Sequence, residues 1–183
     1  MKIKKRIIIE KAGEIVMRLG IESLTITTIA HELGVDEDEL SVFISKDNDL
    51  FLLLFNDLEN DLMDLLEEFA DKRHSPQSEL QRLFTRLYAF FYQNPYYLEL
   101  VFDQSLMERD VSIRESFLRI RRLAAAYLCR LINEGKKAKV FTTTQSTKSL
   151  VNGILSSFRL LMRDEQLMNE MIRKFGALKL QKD

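Results

Sequence analysis

The sequence predicts an all-α protein with a small amino-terminal three-helix bundle and a larger carboxy-terminal helical domain. Only two prolines and six glycines occur in 183 residues, which leaves little material for the turns of a β-sheet protein. Apolar residues make up 46% of the chain and recur with the i, i+3, i+4 and i+7 spacing of helices. We therefore assign residues 1–46 to the first domain and residues 47–183 to the second.

The first predicted helix covers residues 5–19 and ends at Gly20. Its apolar stripe contains Ile8, Ala12, Ile15, Val16 and Leu19. Basic residues cluster before this helix or in its first turn, at Lys2, Lys4, Lys5 and Arg6. Two interpretations of this cluster stay open: a solvated chain terminus, or a basic arm including Lys4 that contacts phosphates.

Residues 25–33 predict a second helix with one apolar face. Thr25 precedes that face, where its hydroxyl can cap a free backbone N–H group. Gly34 follows the last turn, where the chain needs a left-handed conformation to leave the helix. The apolar face consists of Ile26, Ile29, Ala30 and Leu33.

A third helix is predicted over residues 36–45, opened by Asp36 with Glu39 three positions later, the spacing of a capping box. Leu40, Phe43 and Ile44 form its apolar stripe. A helix, a glycine-containing turn and a second helix make up the helix-turn-helix motif.

The stretch IIEKAGEIVMRLGIESLTITTIAHELGV resembles the amino-terminal domain of the TetR family of transcriptional regulators. The family pattern I-L-x-A-A-x-x-L-F-x-x-x-G-Y-x-x-T-T-V-x-x-I-A-x-x-A-G-V falls on it without gaps, including Gly20, Thr25 and Gly34. The resemblance implies an all-α homodimer that acts as a ligand-responsive DNA-binding regulator, a repressor. It also implies that residues 36–45 of each subunit enter a major groove, with the two readers ~34–36 Å apart. An effector would change that spacing by tilting the helix at 47–71.

The third helix departs from the family pattern, because four consecutive acids, Asp36 to Glu39, occupy its amino terminus. Carboxylates there can cap N–H groups and favour the helix dipole, and we prefer this interpretation for Asp36 and Glu39. Alternatively, a carboxylate can accept a hydrogen bond from cytosine N4 in the major groove. The acidic run predicts DNA affinity that is weak, strongly salt-dependent or lost.

Thr25, Thr27 and Thr28 are better DNA candidates, since hydroxyls and free N–H groups at a helix amino terminus suit a phosphate. Capping alone also explains Thr25. Ser41 stands where the family usually has tyrosine, and Lys46 retains a lysine near the next helix. The predicted DNA-binding residues are Lys4, Thr25, Thr27, Thr28, Asp36, Glu37, Ser41, Val42 and Lys46.

The rest of the chain predicts six helices, with a polar loop at 71–78 and a turn at 134–146 whose Thr144 or Ser146 caps the next helix. Asn94 and Pro95 separate the helices at 79–93 and 95–109: Asn94 caps the second of these helices, and Pro95 is its first residue. The six helices cover residues 47–71, 79–93, 95–109, 111–134, 150–162 and 166–176.

Aromatic side chains are dense in the middle of this region, which suits either an ordinary core or an aromatic-lined pocket with a few polar groups. The resemblance implies an effector pocket in these helices. We interpret the arginines of helix 111–134, including Arg130, as solvated, with pairing to an anionic ligand as the alternative. The predicted ligand-binding residues are Phe84, Tyr88, Phe91, Tyr92, Tyr96, Phe102, Phe117 and Tyr127.

The last two helices carry apolar residues on more than one face, which predicts a second partner for each. A homodimer through a four-helix bundle explains this surplus, and a two-sided buried core is the alternative. The predicted interface residues are Leu150, Gly153, Ile154, Ser157, Phe158, Leu161, Met168, Met171 and Phe175.

The sequence contains no phosphate-binding glycine loop, no ligand-spaced Cys and His pair and no nucleophile motif, so we expect neither an enzyme nor a metal or cofactor. The single Cys129 cannot form a disulfide within the chain, and no stretch has the ~18–20 apolar residues of a membrane span, which predicts a cytoplasmic protein. A dimeric helical ligand-binding or interaction protein that has lost DNA binding is the alternative function.

Overall fold

The computed structural model describes residues 4–69, 74–141 and 143–177, and in this part of the chain it contains ten α-helices and no strand. The predicted all-α class is confirmed. The helices are α1 (Lys5–Leu19), α2 (Ile26–Leu33), α3 (Glu37–Leu40), α4 (Asp47–Glu67), α5 (Pro76–Gln93), α6 (Tyr96–Val101), α7 (Gln104–Arg109), α8 (Val111–Lys137), α9 (Thr147–Leu161) and α10 (Glu165–Ala177).

The third helix is shorter than predicted, because α3 ends at Leu40 and the chain turns over residues 41–43. The N–H groups of Phe43 and Ile44 both donate to the Leu40 carbonyl, at 2.9 and 3.1 Å, which tightens and ends the helix. The N–H groups of Ser45 and Lys46 then donate to one carboxylate oxygen of Asp49, in the first turn of α4. Residues 45–46 are therefore the lead-in to α4 rather than the end of α3.

The predicted helix over 95–109 is wrong in one respect, because it is two helices, α6 and α7. Asp103 separates them by acting as the cap of α7, where its side chain accepts from the Leu106 N–H at 3.1 Å. The start of α6 at Tyr96 also lies one residue beyond the predicted first position, Pro95.

Other boundaries shift at capped ends. Helix α5 begins at Pro76, inside the predicted loop, since proline suits a first helical position and the Ser75 hydroxyl accepts from the Ser78 N–H at 3.2 Å. Helix α9 begins at Thr147 rather than residue 150, with the predicted cap Ser146 accepting from the Ser149 N–H at 3.1 Å. The predicted end of the long helix at residue 71 lies outside the described residues.

One compact unit comprises Met1–Asp61 and Asn94–Arg119. Its apolar core is supplied by α1, α2, α3, the first half of α4, and α6 to α8. Helix α1 comes close to α6 at Gly13, where an added Cβ would lie 2.6 Å from the Tyr96 ring. The largest fully buried side chains of this unit include Ile8, Ile15, Leu24, Ile29, Leu40, Leu50, Phe51, Leu54, Phe55, Leu58 and Tyr97.

The other compact unit comprises Leu62–Gln93 and Ile120–Asp183. Its core is built from α5, α9, α10 and the second half of α8, and the Phe141 ring packs so closely on Gly135 that a Cβ there would lie 2.0 Å away. Buried members include Leu80, Leu83, Phe84, Leu128, Leu131, Ile132, Val151, Met162 and Ile172.

The limits of these compact units do not fall at residue 46, because residues 47–61 and 94–119 pack with the amino-terminal helices. The functional division into 1–46 and 47–183 stays a prediction. Helices α4 and α8 each contribute residues to both units. None of the described helices combines the length and the apolar character that a bilayer crossing requires.

Candidate functional site

Three features stabilise the α2–turn–α3 segment: a glycine at the turn, a side-chain cap and a hydrogen bond to α4. Gly34 adopts the left-handed conformation, with φ of 65°, and so lets the chain leave α2. The Thr25 hydroxyl caps α2 by accepting from the Thr28 N–H at 3.1 Å, as predicted. The N–H of Ile26, the first residue of α2, donates to the Asp47 carboxylate at 2.8 Å. The start of α2 is thereby tied to the start of α4.

The acidic start of α3 has the predicted structural role at two of its four positions. Asp36 and Glu39 form a capping box, in which the Glu39 carboxylate accepts from the Asp36 N–H at 3.4 Å. Glu37 and Asp38 lie in the first turn, where their charges favour the helix dipole. All four side chains are exposed, so the surface of α3 is acidic.

The predicted DNA contacts divide by exposure. Thr25 and Thr28 are half-buried and their hydroxyls lie 2.8 Å apart. Thr27 is exposed and donates its hydroxyl hydrogen to the Glu37 carboxylate at 2.6 Å. The remaining candidates are exposed: Lys4 directly before α1, Asp36 and Glu37 at the start of α3, Ser41 and Val42 in the turn after it, and Lys46 before α4.

Val42 is the most exposed large apolar side chain of this segment, at 82%. The neighbouring Ser41 hydroxyl donates to the Asp38 carbonyl at 2.7 Å. Residues 36–46 carry four acids and one lysine, a formal charge of −3. An apolar side chain can contact a thymine methyl group, but the local charge opposes the approach of phosphates.

The start of α4 is also joined to the start of α8. The Asn48 amide donates to the Asp110 carboxylate at 3.1 Å, and the other carboxylate oxygen accepts from the Ser112 N–H at 2.7 Å. The hydrogen bond from Ser112, followed by those from Asn48 and Ile113 and the charge of Lys46, holds the pKa of Asp110 below its ordinary value. Asp47, Asn48 and Asp49 thus each bind a different part of this compact unit.

A cleft of about 680 Å³ lies in the unit formed by Leu62–Gln93 and Ile120–Asp183. That volume is in the usual range for small-molecule sites. Its walls are mostly apolar, with charged groups from α4, α5 and α8. The lining residues are Met63, Leu66, Glu67, Phe69, His74, Pro76, Glu79, Leu123, Ala126, Tyr127, Arg130 and Glu134.

A buried carboxylate organises the polar part of this cleft. Glu79 is only 5% exposed, and its Oε1 accepts from the Tyr127 hydroxyl at 2.5 Å and from Arg130 at 2.6 Å. Arg130 also donates to Glu134 at 2.9 Å and lies 4.5 Å from the centre of the Tyr127 ring. Burial, followed by the hydrogen bond to Glu79, raises the pKa of Tyr127, so the phenol stays protonated and acts as a donor.

Of the eight predicted ligand-binding residues, Tyr127 alone is among the described residues that line the cleft. Phe84 and Phe91 are buried in the core, where the Phe91 ring meets Phe158 edge-on at 5.3 Å. Tyr88 stacks on the exposed Tyr92. Tyr96, Phe102 and Phe117 belong to the other compact unit. Five of the eight predicted residues thus belong to the unit that contains the cleft and three to the other unit, and their role in ligand binding stays a prediction.

Sequence reasoning missed Glu79, although a signal was present. Glu79 lies four residues before Leu83 and eight before Leu87, so an acid stands in register with an apolar stripe of α5. A buried acid at such a position requires a partner, and Tyr127 and Arg130 share a helix face at i, i+3 spacing. Arg130 is exposed, as predicted for the solvated side of this helix, and it also pairs with two carboxylates, those of Glu79 and Glu134.

The predicted interface residues lie on two faces of α9 and α10. Ile154, Leu161 and Met168 are buried within the subunit, and Phe175 meets Phe141 edge-on at 5.5 Å. Gly153 and Ser157 are exposed. Intrachain packing thus accounts for part of the surplus apolar character, with Leu150, Phe158, Met171 and Phe175 half-buried. Leu160, at 62% exposure, continues the Gly153 and Ser157 face.

Comparison with known proteins gives no match to a protein-family profile and no match to a curated protein sequence. Solved structures do match over nearly the whole chain. A regulatory protein TetR from Rhodobacter sphaeroides has a TM-score of 0.75 and 14% identity, covering 94% of this chain and 96% of that one. FadR from Bacillus subtilis, in complex with stearoyl-CoA, has a TM-score of 0.72 and 16% identity, covering 96% and 93%.

A γ-butyrolactone receptor, an ArpA-like protein, has a TM-score of 0.72 and 18% identity, covering 85% of this chain and 80% of that one. These similar structures are transcriptional regulators or ligand receptors rather than enzymes. At identities of 14–18% the similarity establishes the fold. The predicted TetR-type fold is confirmed.

Proposed function

We propose that this protein is a ligand-responsive DNA-binding transcriptional regulator of the TetR type, a cytoplasmic homodimer that acts as a repressor. The observation that carries the proposal is a helix-turn-helix within a TetR-type fold, with an exposed turn after α3. Thr25 caps the first helix of this motif, and Gly34 lets the chain leave it. This arrangement offers one helix amino terminus to a phosphate and a second short helix to a groove.

In the proposed complex, α3 and the following turn enter the major groove. Ser41 and Val42 reach base edges, while Thr25, Thr27, Thr28, Lys4 and Lys46 position the reader on phosphates. Two such readers would lie ~34–36 Å apart in a dimer. Asp36 and Glu37 carry the alternative role left open by the sequence, in which a carboxylate accepts a hydrogen bond from a base such as cytosine.

The proposed effector site is the cleft beside Glu79, and α4 is the element that couples it to the reader. Helix α4 contributes Met63, Leu66 and Glu67 to the cleft. Its first residue, Asp47, accepts the hydrogen bond from the start of α2. A ligand that prefers one orientation of α4 would shift the population of reader positions without contacting DNA.

The proposed homodimer uses the exposed side of α9 and α10. Gly153, Ser157 and Leu160 follow one another at i, i+4 and i+7, so they form one stripe on the solvent side of α9. Leu167, 38% exposed, extends apolar surface onto α10. Small residues beside leucines allow two helices to approach closely.

Fluorescence anisotropy on a labelled duplex from the region upstream of the protein's own gene tests the DNA-binding proposal. We expect binding at about 50 mM salt that weakens steeply as salt rises, by a log–log slope near −0.9 per phosphate contact. Val42→Asp should abolish the binding. The control Val111→Asp replaces another exposed valine, at 58% exposure on α8, and should leave it unchanged.

One observation favours a second candidate, a helical dimer that binds ligands or partners and no longer binds DNA. All four acids from Asp36 to Glu39 are exposed on the reader. Absence of binding at about 50 mM salt, or a salt slope near zero, would overturn the DNA-binding proposal and favour this candidate.

A further inference from the structure

The described lining of the cleft is acidic in balance. Glu67, Glu79 and Glu134 supply three carboxylates, and Arg130, which pairs with Glu79 and Glu134, supplies a guanidinium. Counting His74 as neutral, the described lining residues have a formal charge of −2. A charge in a partly desolvated, mostly apolar site acts more strongly on a ligand than the same charge in water.

Arg130 already pairs with two carboxylates of its own chain. Its Nη2 donates to Glu79 at 2.6 Å, its Nη1 donates to Glu134 at 2.9 Å, and its guanidinium carbon lies 4.5 Å from the centre of the Tyr127 ring. An anionic ligand would have to compete with two carboxylates for this guanidinium. The cleft is therefore poorly suited to a carboxylate or phosphate group.

Glu79 is fixed before any ligand arrives. Its Oε1 accepts the hydrogen bonds from both Tyr127 and Arg130, and Glu79 is one of the residues that line the cleft. Since Glu79 is 5% exposed, its charge is shielded from bulk water. Glu67, an exposed acid of α4, adds a second negative charge at the same cleft.

We propose that this cleft binds a hydrophobic cation, with its apolar body on Met63, Leu66 and Leu123 and its positive charge directed to Glu67 and Glu79. The proposal rests on the proposed function, because it names the chemical class of the effector. It goes beyond that function by fixing the sign of the ligand's charge, which neither the fold nor the similar structures determine.

Tetraphenylphosphonium and tetraphenylborate test the sign of the charge, because the two ions have nearly the same size and shape and opposite charges. Isothermal titration calorimetry of the purified full chain should give the cation at least about tenfold tighter binding than the anion. Equal or tighter binding of tetraphenylborate would overturn the proposal.

Three variants locate the binding. Glu67→Gln should weaken tetraphenylphosphonium binding by about threefold or more, whereas the control Glu170→Gln, an exposed acid of α10 outside the described lining, should not change it. Ala126→Trp fills the cleft from an exposed position of α8 and should remove binding of both ions. Unchanged cation binding in Glu67→Gln or in Ala126→Trp would overturn the proposal.

The calorimetry contains no DNA, so its outcome is separate from that of the DNA-binding experiment. A protein that binds DNA but prefers tetraphenylborate would retain the proposed function and lose the cation assignment. A protein that prefers tetraphenylphosphonium but binds no DNA would keep the cation site on a scaffold that is not a DNA regulator.

Discussion

The Thr27 hydroxyl donates a hydrogen bond to the Glu37 carboxylate at 2.6 Å, across the turn that joins α2 to α3. Both side chains are exposed on the surface expected to meet DNA, and each is bonded to the other. In this arrangement the hydroxyl hydrogen of Thr27 is donated to a carboxylate of its own chain and not to a phosphate. A phosphate that approaches Thr27 therefore meets the charge of Glu37 as well.

Replacing Glu37 with glutamine should increase DNA affinity. Glutamine retains an oxygen acceptor for Thr27 but removes one negative charge from each reader. We expect about three- to tenfold tighter binding at about 100 mM salt, measured by fluorescence anisotropy.

Glu108→Gln, the same change at an exposed position of α7, is the matched control and should leave the affinity unaltered. Weaker binding in Glu37→Gln would contradict the prediction. That result would instead favour a carboxylate that accepts a hydrogen bond from a base.

Apolar periodicity predicted most helices but not where side-chain hydrogen bonds end them. The apolar stripe containing Ile8 and Ile15 predicted α1 with its observed bounds, because a long helix with one buried face shows a clear apolar periodicity. Asp103 breaks the 95–109 pattern without changing its apolar spacing. Likewise, α3 ends at Leu40, and the N–H groups of Ser45 and Lys46 donate to the Asp49 carboxylate at the start of α4. The apolar spacing of residues 36–45 gives no sign of these hydrogen bonds.

The candidate ligand site was harder to predict because it depends on contacts between distant segments. Glu79 and Tyr127 lie 48 positions apart in the chain, and their hydrogen bond defines the polar side of the cleft. Aromatic density pointed instead to Phe84 and Phe91, which fill the core. Since an aromatic stripe is equally compatible with a core and a pocket, composition could not separate the two.

Replacing Gly13 with alanine should destabilise the amino-terminal unit. An added Cβ would lie 2.6 Å from the Tyr96 ring, well inside ordinary contact distance. The cost of overpacking, about 1–3 kcal/mol, exceeds the ~1 kcal/mol that alanine gains in helix propensity. Chemical denaturation should show a lower midpoint.

A double-mutant cycle provides the control. In the Tyr96→Ala background the ring is absent, so Gly13→Ala should be neutral or slightly stabilising. A similar destabilisation in both backgrounds would show that the close approach of Tyr96 is not the cause.

Loss of the Asp110 carboxylate should reduce stability in a pH-dependent way. Hydrogen bonds from Ser112, Asn48 and Ile113 keep the pKa of Asp110 in the folded protein below its value in the unfolded chain. The carboxylate therefore stabilises the fold at pH values above the unfolded-state pKa. This contribution is lost as the pH falls through the folded-state pKa. Asp110→Ala should therefore lower the thermal midpoint at neutral pH, and the difference from the wild type should vanish in acid.

Asp110→Asn is the control for the hydrogen bonds, since its amide oxygen can still accept from the Ser112 N–H. It should retain more stability than Asp110→Ala at neutral pH. A gap between Asp110→Ala and the wild type that persists or widens in acid would contradict a depressed pKa.

Replacing Leu160 with arginine should dissociate the proposed homodimer. Leu160 is 62% exposed on the α9 stripe that begins at Gly153. In a two-fold dimer both subunits contribute this stripe, so the interface would contain two arginines. Desolvating two unpaired guanidinium groups should raise the dimer dissociation constant by about 100-fold or more, seen as monomers in sedimentation velocity. Leu118→Arg, at a 41% exposed leucine of α8, should remain dimeric. A Leu160→Arg protein that sediments as a dimer would exclude this face as the subunit interface, because an apolar contact cannot hold two uncompensated charges.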